Sequence, residues 1–90
     1  MNVSIIIPLL NESESINELN EWIFKVLTNT DLEFEVIYID DGSWDSSWSI
    51  IEEIAKSNHN VKGISFNKNY GKSQALRVGF SEAKGEYVAT

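Results

Sequence analysis

Three polar clusters in this 90-residue sequence carry side chains able to hold a ligand: Asn11-Glu12, Asp40-Asp41-Gly42-Ser43 and Asn69-Tyr70-Gly71-Lys72-Ser73. Adjacent carboxylates such as Asp40 and Asp41, placed in a turn, can accept hydrogen bonds from the ring N–H of a base or from ribose hydroxyls. The competing role is structural, because Asp41 and Ser43 are also good helix caps and Asp-Gly is a common turn. The pair cannot face a diphosphate directly, since like charges in contact in a partly dry site repel by several kcal/mol, so a metal or a lysine must intervene. Gly71-Lys72-Ser73 offers the lysine: a helix amino terminus beside an ammonium group favours anions. The plain alternative is a solvated Lys72. A Walker A loop is excluded because Phe66 occupies the position that its first glycine requires, and no G-x-G-x-x-G occurs. Asn11 and Glu12 read either as site residues or as the cap and first-turn acid of a helix.

Composition narrows the partners. Fourteen acidic against seven basic residues give a net charge of −7, which repels phosphate backbones and anionic membranes and argues against nucleic-acid binding. The sequence has no cysteine and one histidine, so disulfides, thiolate metal sites and histidine clusters are ruled out. No apolar run approaches the roughly 20 residues that span a bilayer, and no secretory leader is visible, which predicts a cytoplasmic, soluble protein. The asparagines of Asn2-Val3-Ser4 and Asn11-Glu12-Ser13 are then chance matches to a glycosylation sequon. A chain this short buries a small core, so membership of something larger is in view from the start.

The elements that must position these clusters follow from periodicity. Val3 to Pro8 and Phe34 to Asp40 are β-branched runs without polar alternation, as in strands covered on both faces. Val61 to Phe66 and Glu86 to Thr90 complete a set of four strands. Ile16, Leu19, Trp22, Ile23, Val26 and Leu27 recur at helical spacing, predicting a helix over about 13–27 with Trp22 in the core and a capping box at Asn11/Glu14 or Ser15/Glu18. A second helix is expected over about 44–57, capped by Ser43, with Trp44 and Trp48 packing. A third carries Ala75, Leu76, Gly79, Phe80 and Ala83 and ends with Gly85 as C′. The pattern β-α-β-α-β-α-β, with right-handed crossovers, describes one α/β domain around a parallel sheet. Such sheets bind ligands outside the carboxyl ends of their strands, and all three polar clusters fall there, whereas His59 falls at the opposite edge as a surface residue.

In that order, VSIIIPLLNESESI (3–16), VIYIDDGSWDSS (36–47) and NYGKSQALRVGFSEAKGEYV (69–88) resemble the amino-terminal half of a family 2 glycosyltransferase, nearly the whole chain being covered. The N-Y-G-K-x-x-A-L-x-x-G block is most similar to the branch of dolichol- and polyprenyl-phosphate sugar transferases. The resemblance implies a Rossmann-like GT-A fold, a UDP- or GDP-sugar donor, a sugar or polyprenyl-phosphate acceptor, a divalent metal (Mg or Mn) and inverting transfer, in cell-wall or polysaccharide biosynthesis. Matching positions imply that Pro8, Leu9 and Leu10 line the base and ribose pocket with Glu12 at its border. Asp41 bonds the base with Asp40 and Gly42 in the same D-D-G-S turn, and Lys72 lies near the nucleotide.

Two departures bear on this. Leu10 stands where the family usually has an aromatic residue. The chain ends at Thr90, before the place where the family's D-x-D metal motif would follow the fourth strand. The expectation is therefore a truncated GT-A domain, 1–90, whose metal ligands and catalytic base lie beyond residue 90, which is inactive alone and self-associates through the edge left after the fourth strand. A parent acting at the cytoplasmic face of a membrane is compatible with it. The alternatives are a receiver-like signalling module and a non-catalytic nucleotide-binding or interaction module.

Overall fold

The computed structural model describes residues 1–90. Seven elements alternate: β1 (Val3–Leu9), α1 (Ile16–Leu27), β2 (Phe34–Asp40), α2 (Ser47–Ser57), β3 (Val61–Ser65), α3 (Lys72–Glu82) and β4 (Tyr87–Ala89). The four strands form one parallel sheet in the order β3-β2-β1-β4. This is the predicted α/β architecture. A receiver-like fold is excluded by strand order, because it would place β1 between β2 and β3, whereas here β1 lies between β2 and β4.

All seven residues of β2 are buried, Glu35 and Asp40 along with its apolar residues, as in a strand covered on both faces. Alternation along it divides the core. Phe34, Val36 and Tyr38 face Ile16 and Ile23 of α1 and Ile51 and Ile54 of α2, while Ile37 and Ile39 join Ile6 and Ala75 of α3 on the other side. The chain moves one way across the sheet through α1 and α2 and returns through α3, so crossovers of one hand put α3 on the opposite face. Tyr38 reaches out of the larger cluster to donate its hydroxyl hydrogen to Asn20 Oδ1 at 2.6 Å. Burial pushes that phenol well above its ordinary range.

Several local expectations are corrected. Both α1 and α2 start three residues later than periodicity suggests, and neither has a side-chain cap. The residues that would have extended them are bonded to each other instead: Asn11 Oδ1 accepts the Trp44 and Asp45 N–H groups, and Ser43 Oγ accepts the Asn11 N–H. Ser15 Oγ donates to Glu12 rather than accepting from its own helix. Gly85 is not a left-handed C′ residue, since only Gly42 and Gly71 among the glycines have positive φ. Its role is close approach, because a Cβ there would stand 2.6 Å from Ser4 N. Trp22 is 62% exposed, not core. It precedes the buried Ile23, and one residue is a rotation of about 100° away from the inward stripe. Trp44 is also exposed, whereas Trp48 packs with Ile51 over Gly63 as expected. No helix is long and apolar enough to cross a membrane.

Candidate nucleotide-binding cleft

The carboxyl ends of β1, β2 and β3 are tied together before any cleft is formed. Leu9 pairs with Asp40 in the sheet, the Asp41 N–H continues the ladder to Leu9 O at 2.9 Å, and the Phe66 N–H donates to Asp40 O at 2.9 Å. Beyond the sheet, side chains take over. Asp40, buried, accepts the Ser43 N–H on Oδ1 at 2.9 Å and so closes the D-D-G-S turn. Asp45 accepts from Ser47 and Ser13, and Ser47 Oγ accepts the Glu12 N–H at 2.9 Å. The Ser47 hydroxyl is the main reason that the Asp45 carboxyl sits below its usual range, with backbone N–H groups adding to the effect.

Asp41 ties the second loop to the third. Its Oδ1 accepts the Tyr70 N–H at 2.8 Å and its Oδ2 accepts the Gly71 N–H at 2.9 Å, so the carboxylate holds the entry to α3, not α2. Two glycines permit this. Gly42 has φ +84°, and a Cβ on it would stand 2.5 Å from the Lys68 carbonyl carbon, so the third loop lies directly against it. Gly71 has φ +99° with open space around it, a conformation that glycine adopts at little steric cost.

The result is a cleft of about 310 Å³ lined by Pro8, Leu9, Leu10, Asp41, Asn69, Gly71 and Lys72. It has an apolar wall from the end of β1, a carboxylate floor and, at the start of α3, an exposed ammonium group. A carboxylate has about four acceptor positions, and Asp41 uses two on the backbone, so it retains capacity for a donor in the cleft. Of the sequence-predicted residues, Pro8, Leu9, Leu10, Asp41 and Lys72 meet here. Glu12, Asp40 and Gly42 do not line the cleft: Asp40 and Gly42 shape the loop that carries Asp41, and Glu12 lies on the rim beside α2. Asn69 and Gly71, members of the third polar cluster, line it as well. Their signal was position alone, in a loop at the carboxyl edge just before a helix.

The acidic pair does not fit a metal. No cluster of three or more His, Asp or Glu side chains is arranged to hold an ion, and two adjacent carboxylates alone do not complete a coordination shell.

A parallel sheet with its reversal at β1 and β4, and a polar cleft over the strand ends, is the nucleotide-binding layout of a GT-A-type α/β domain. The chain belongs to glycosyl transferase family 2, whose description matches residues 4–90. It is 42% identical over 90 residues to an undecaprenyl-phosphate 4-deoxy-4-formamido-L-arabinose transferase of Proteus mirabilis, covering 98% of this chain and 27% of that protein. Among solved structures, TarS 1-349 of S. aureus in complex with UDP-GlcNAc superposes with a TM-score of 0.78 at 31% identity, covering 98% of this chain and 25% of that one. The mannosyltransferase PcManGT of Pyrobaculum calidifontis, in complex with GDP-Man and Mn2+, superposes with a TM-score of 0.82 at 26% identity, covering 97% of this chain and 26% of that one. The chain thus spans about a quarter of the length of the curated relatives it matches.

Proposed function

We propose that these residues form the nucleotide-binding part of a glycosyltransferase that takes its sugar from a UDP- or GDP-sugar and passes it, with inversion, to a polyprenyl-phosphate or sugar acceptor. The observation that carries this reading is the convergence of Asp41 and Lys72 on one cleft with an apolar wall. A base ring packs against Pro8, Leu9 and Leu10, its ring N–H donates to Asp41, and the diphosphate lies toward Lys72 and the first N–H groups of α3. This sorting of charge keeps the acids at the base and ribose. Relatives named as undecaprenyl-phosphate transferases support a polyprenyl-phosphate acceptor, and the UDP-GlcNAc and GDP-Man complexes of its neighbours support the donor class. Action at the cytoplasmic face of a membrane belongs to the same reading.

A divalent ion, Mg or Mn, would neutralise the leaving diphosphate in the whole enzyme. Since no cluster of three or more ligands lies within these residues, its ligands and the general base are assigned to other parts of the whole enzyme.

Calorimetric titration of the chain with UDP and GDP, with and without manganese, tests the reading. The expected result is weak, manganese-indifferent binding that falls several-fold in Lys72→Ala, a variant that removes only an exposed side chain. Tight binding that requires manganese would overturn the placement of the metal ligands, and no binding by the folded chain would overturn the cleft as a nucleotide site.

A further inference from the structure

At the other end of the sheet, Glu35 of β2 is 2% exposed, the most buried glutamate of the chain, and the cleft does not use it. Its Oε2 accepts the Ser4 hydroxyl at 2.6 Å and the Lys84 N–H at 2.7 Å, and Lys62 Nζ stands 3.6 Å from Oε1. Ser4 Oγ in turn accepts the Gly85 N–H at 2.8 Å. One carboxylate and one hydroxyl therefore grip two successive N–H groups of the turn that leads into β4. The turn can lie this low on β1 only because residue 85 is glycine.

Strand β4 needs such a grip. It has three residues, all exposed, and pairs with β1 alone, as Val3↔Tyr87, Ser4↔Val88 and Ile5↔Ala89. With no buried side chain, nothing apolar selects this register over one slipped by two residues. The Lys84 and Gly85 N–H groups meet Glu35 and Ser4 in one register only.

We propose that Glu35, acting with Ser4, is a positioning residue: from the far end of the sheet it fixes the register in which β4 pairs with β1. The last pair in the register is Ile5↔Ala89, one residue before Thr90. The charged groups around the carboxylate are Lys62 from β3 and Lys84 from the turn, with Glu33, His59 and the Met1 amino terminus lining the same hollow of about 370 Å³.

The test is residue-resolved amide exchange in wild type, Glu35→Ala, Glu35→Gln and Ser4→Ala, with a nitroxide attached at Thr90→Cys, a unique label in a cysteine-free chain. In Ser4→Ala and Glu35→Ala, exchange at Lys84, Gly85 and Tyr87 to Ala89 accelerates roughly ten- to hundred-fold relative to Ile37 and Ile39. Glu35→Gln keeps an acceptor oxygen but no charge, so it recovers part of the protection and removes the part that wild type loses as pH falls below the unfolded carboxyl value of about 4.3. The nitroxide broadens one set of β1 amides around Ile6 in wild type and a spread of them in the variants. Uniform acceleration across the sheet, or an unchanged broadening pattern, would overturn the proposal, and Ser4→Ala decides the matter if Glu35→Ala does not fold. UDP affinity is expected to be unchanged in Ser4→Ala. Failure of the wild type to bind UDP would overturn the donor-site reading while leaving the exchange and nitroxide results to judge the register.

Discussion

The carboxylate of Asp41 and the N–H of Gly71, thirty residues apart in sequence, meet at 2.9 Å and join the loop after β2 to the start of α3. The same carboxylate takes the Tyr70 N–H. A residue that lines the cleft is therefore also the strut that holds its far wall in place.

Removing that strut is expected to lower stability as well as binding. Asp41→Ala loses two charge-assisted hydrogen bonds, a loss of about 2–3 kcal/mol. Lys72→Ala changes binding at constant stability. Urea unfolding of the two variants beside nucleotide titration separates the effects, and equal midpoints for Asp41→Ala and wild type would show the strut to be idle.

Glycine substitutions should rank by what a Cβ meets. Gly42→Ala combines positive φ with a collision against the Lys68 backbone, so we expect it to destabilise by at least about 2 kcal/mol. Gly71→Ala has free space but holds φ +99° with ψ 160°, a backbone region nearly confined to glycine, and about 1–2 kcal/mol is expected. A reversed order in denaturant midpoints would mean that the third loop moves aside.

Acid should loosen the amino end of the sheet. Burial acts to raise the Glu35 carboxyl, but the Ser4 hydroxyl, the Lys84 N–H and the Lys62 charge outweigh it and hold it below its ordinary value. The folded value lies below the unfolded one. Its contribution is thus fully present above the unfolded value of about 4.3 and is lost as pH falls through the folded one. Stability measured against pH should fall less steeply below about pH 5 in Glu35→Gln than in wild type.

On α1, Trp22→Ser is expected to change stability by less than about 0.5 kcal/mol, because Trp22 is largely exposed. Ile23→Ala, one residue on and buried, should cost about 2–4 kcal/mol. Similar losses for the two would return Trp22 to the core.

The outer edge of β4 carries exposed Tyr87 and Val88 and an unpaired row of backbone groups. Self-association through it is expected to appear in sedimentation as a concentration-dependent increase in mass. A charge in Val88→Lys should suppress it. Persistence in that variant would place the contact elsewhere.

Element order, the class of fold and the sheet edge at which the cleft opens were legible in the sequence, because they depend on local quantities: the period of apolar residues, the β-branched runs and the turn residues at strand ends. Phe34 to Asp40 was read to the residue for this reason, since its β-branched and aromatic run is bounded by a polar loop before Phe34 and by the Asp-Gly turn after Asp40. The three motifs in their order carried the family as well. What the chain could not show locally was the destination of side chains that bond across thirty residues or more. Asn11 and Ser43 have the chemistry of caps for their own helices, yet each bonds the other's loop, because the parallel sheet brings the ends of β1 and β2 side by side. Asp41 reaching α3, Glu35 reaching the turn before β4 and Gly85 lying on β1 have the same origin. Each contact is created by strand order, which periodicity does not encode, and each is exacting because a buried polar group must find its partner wherever the fold has put it.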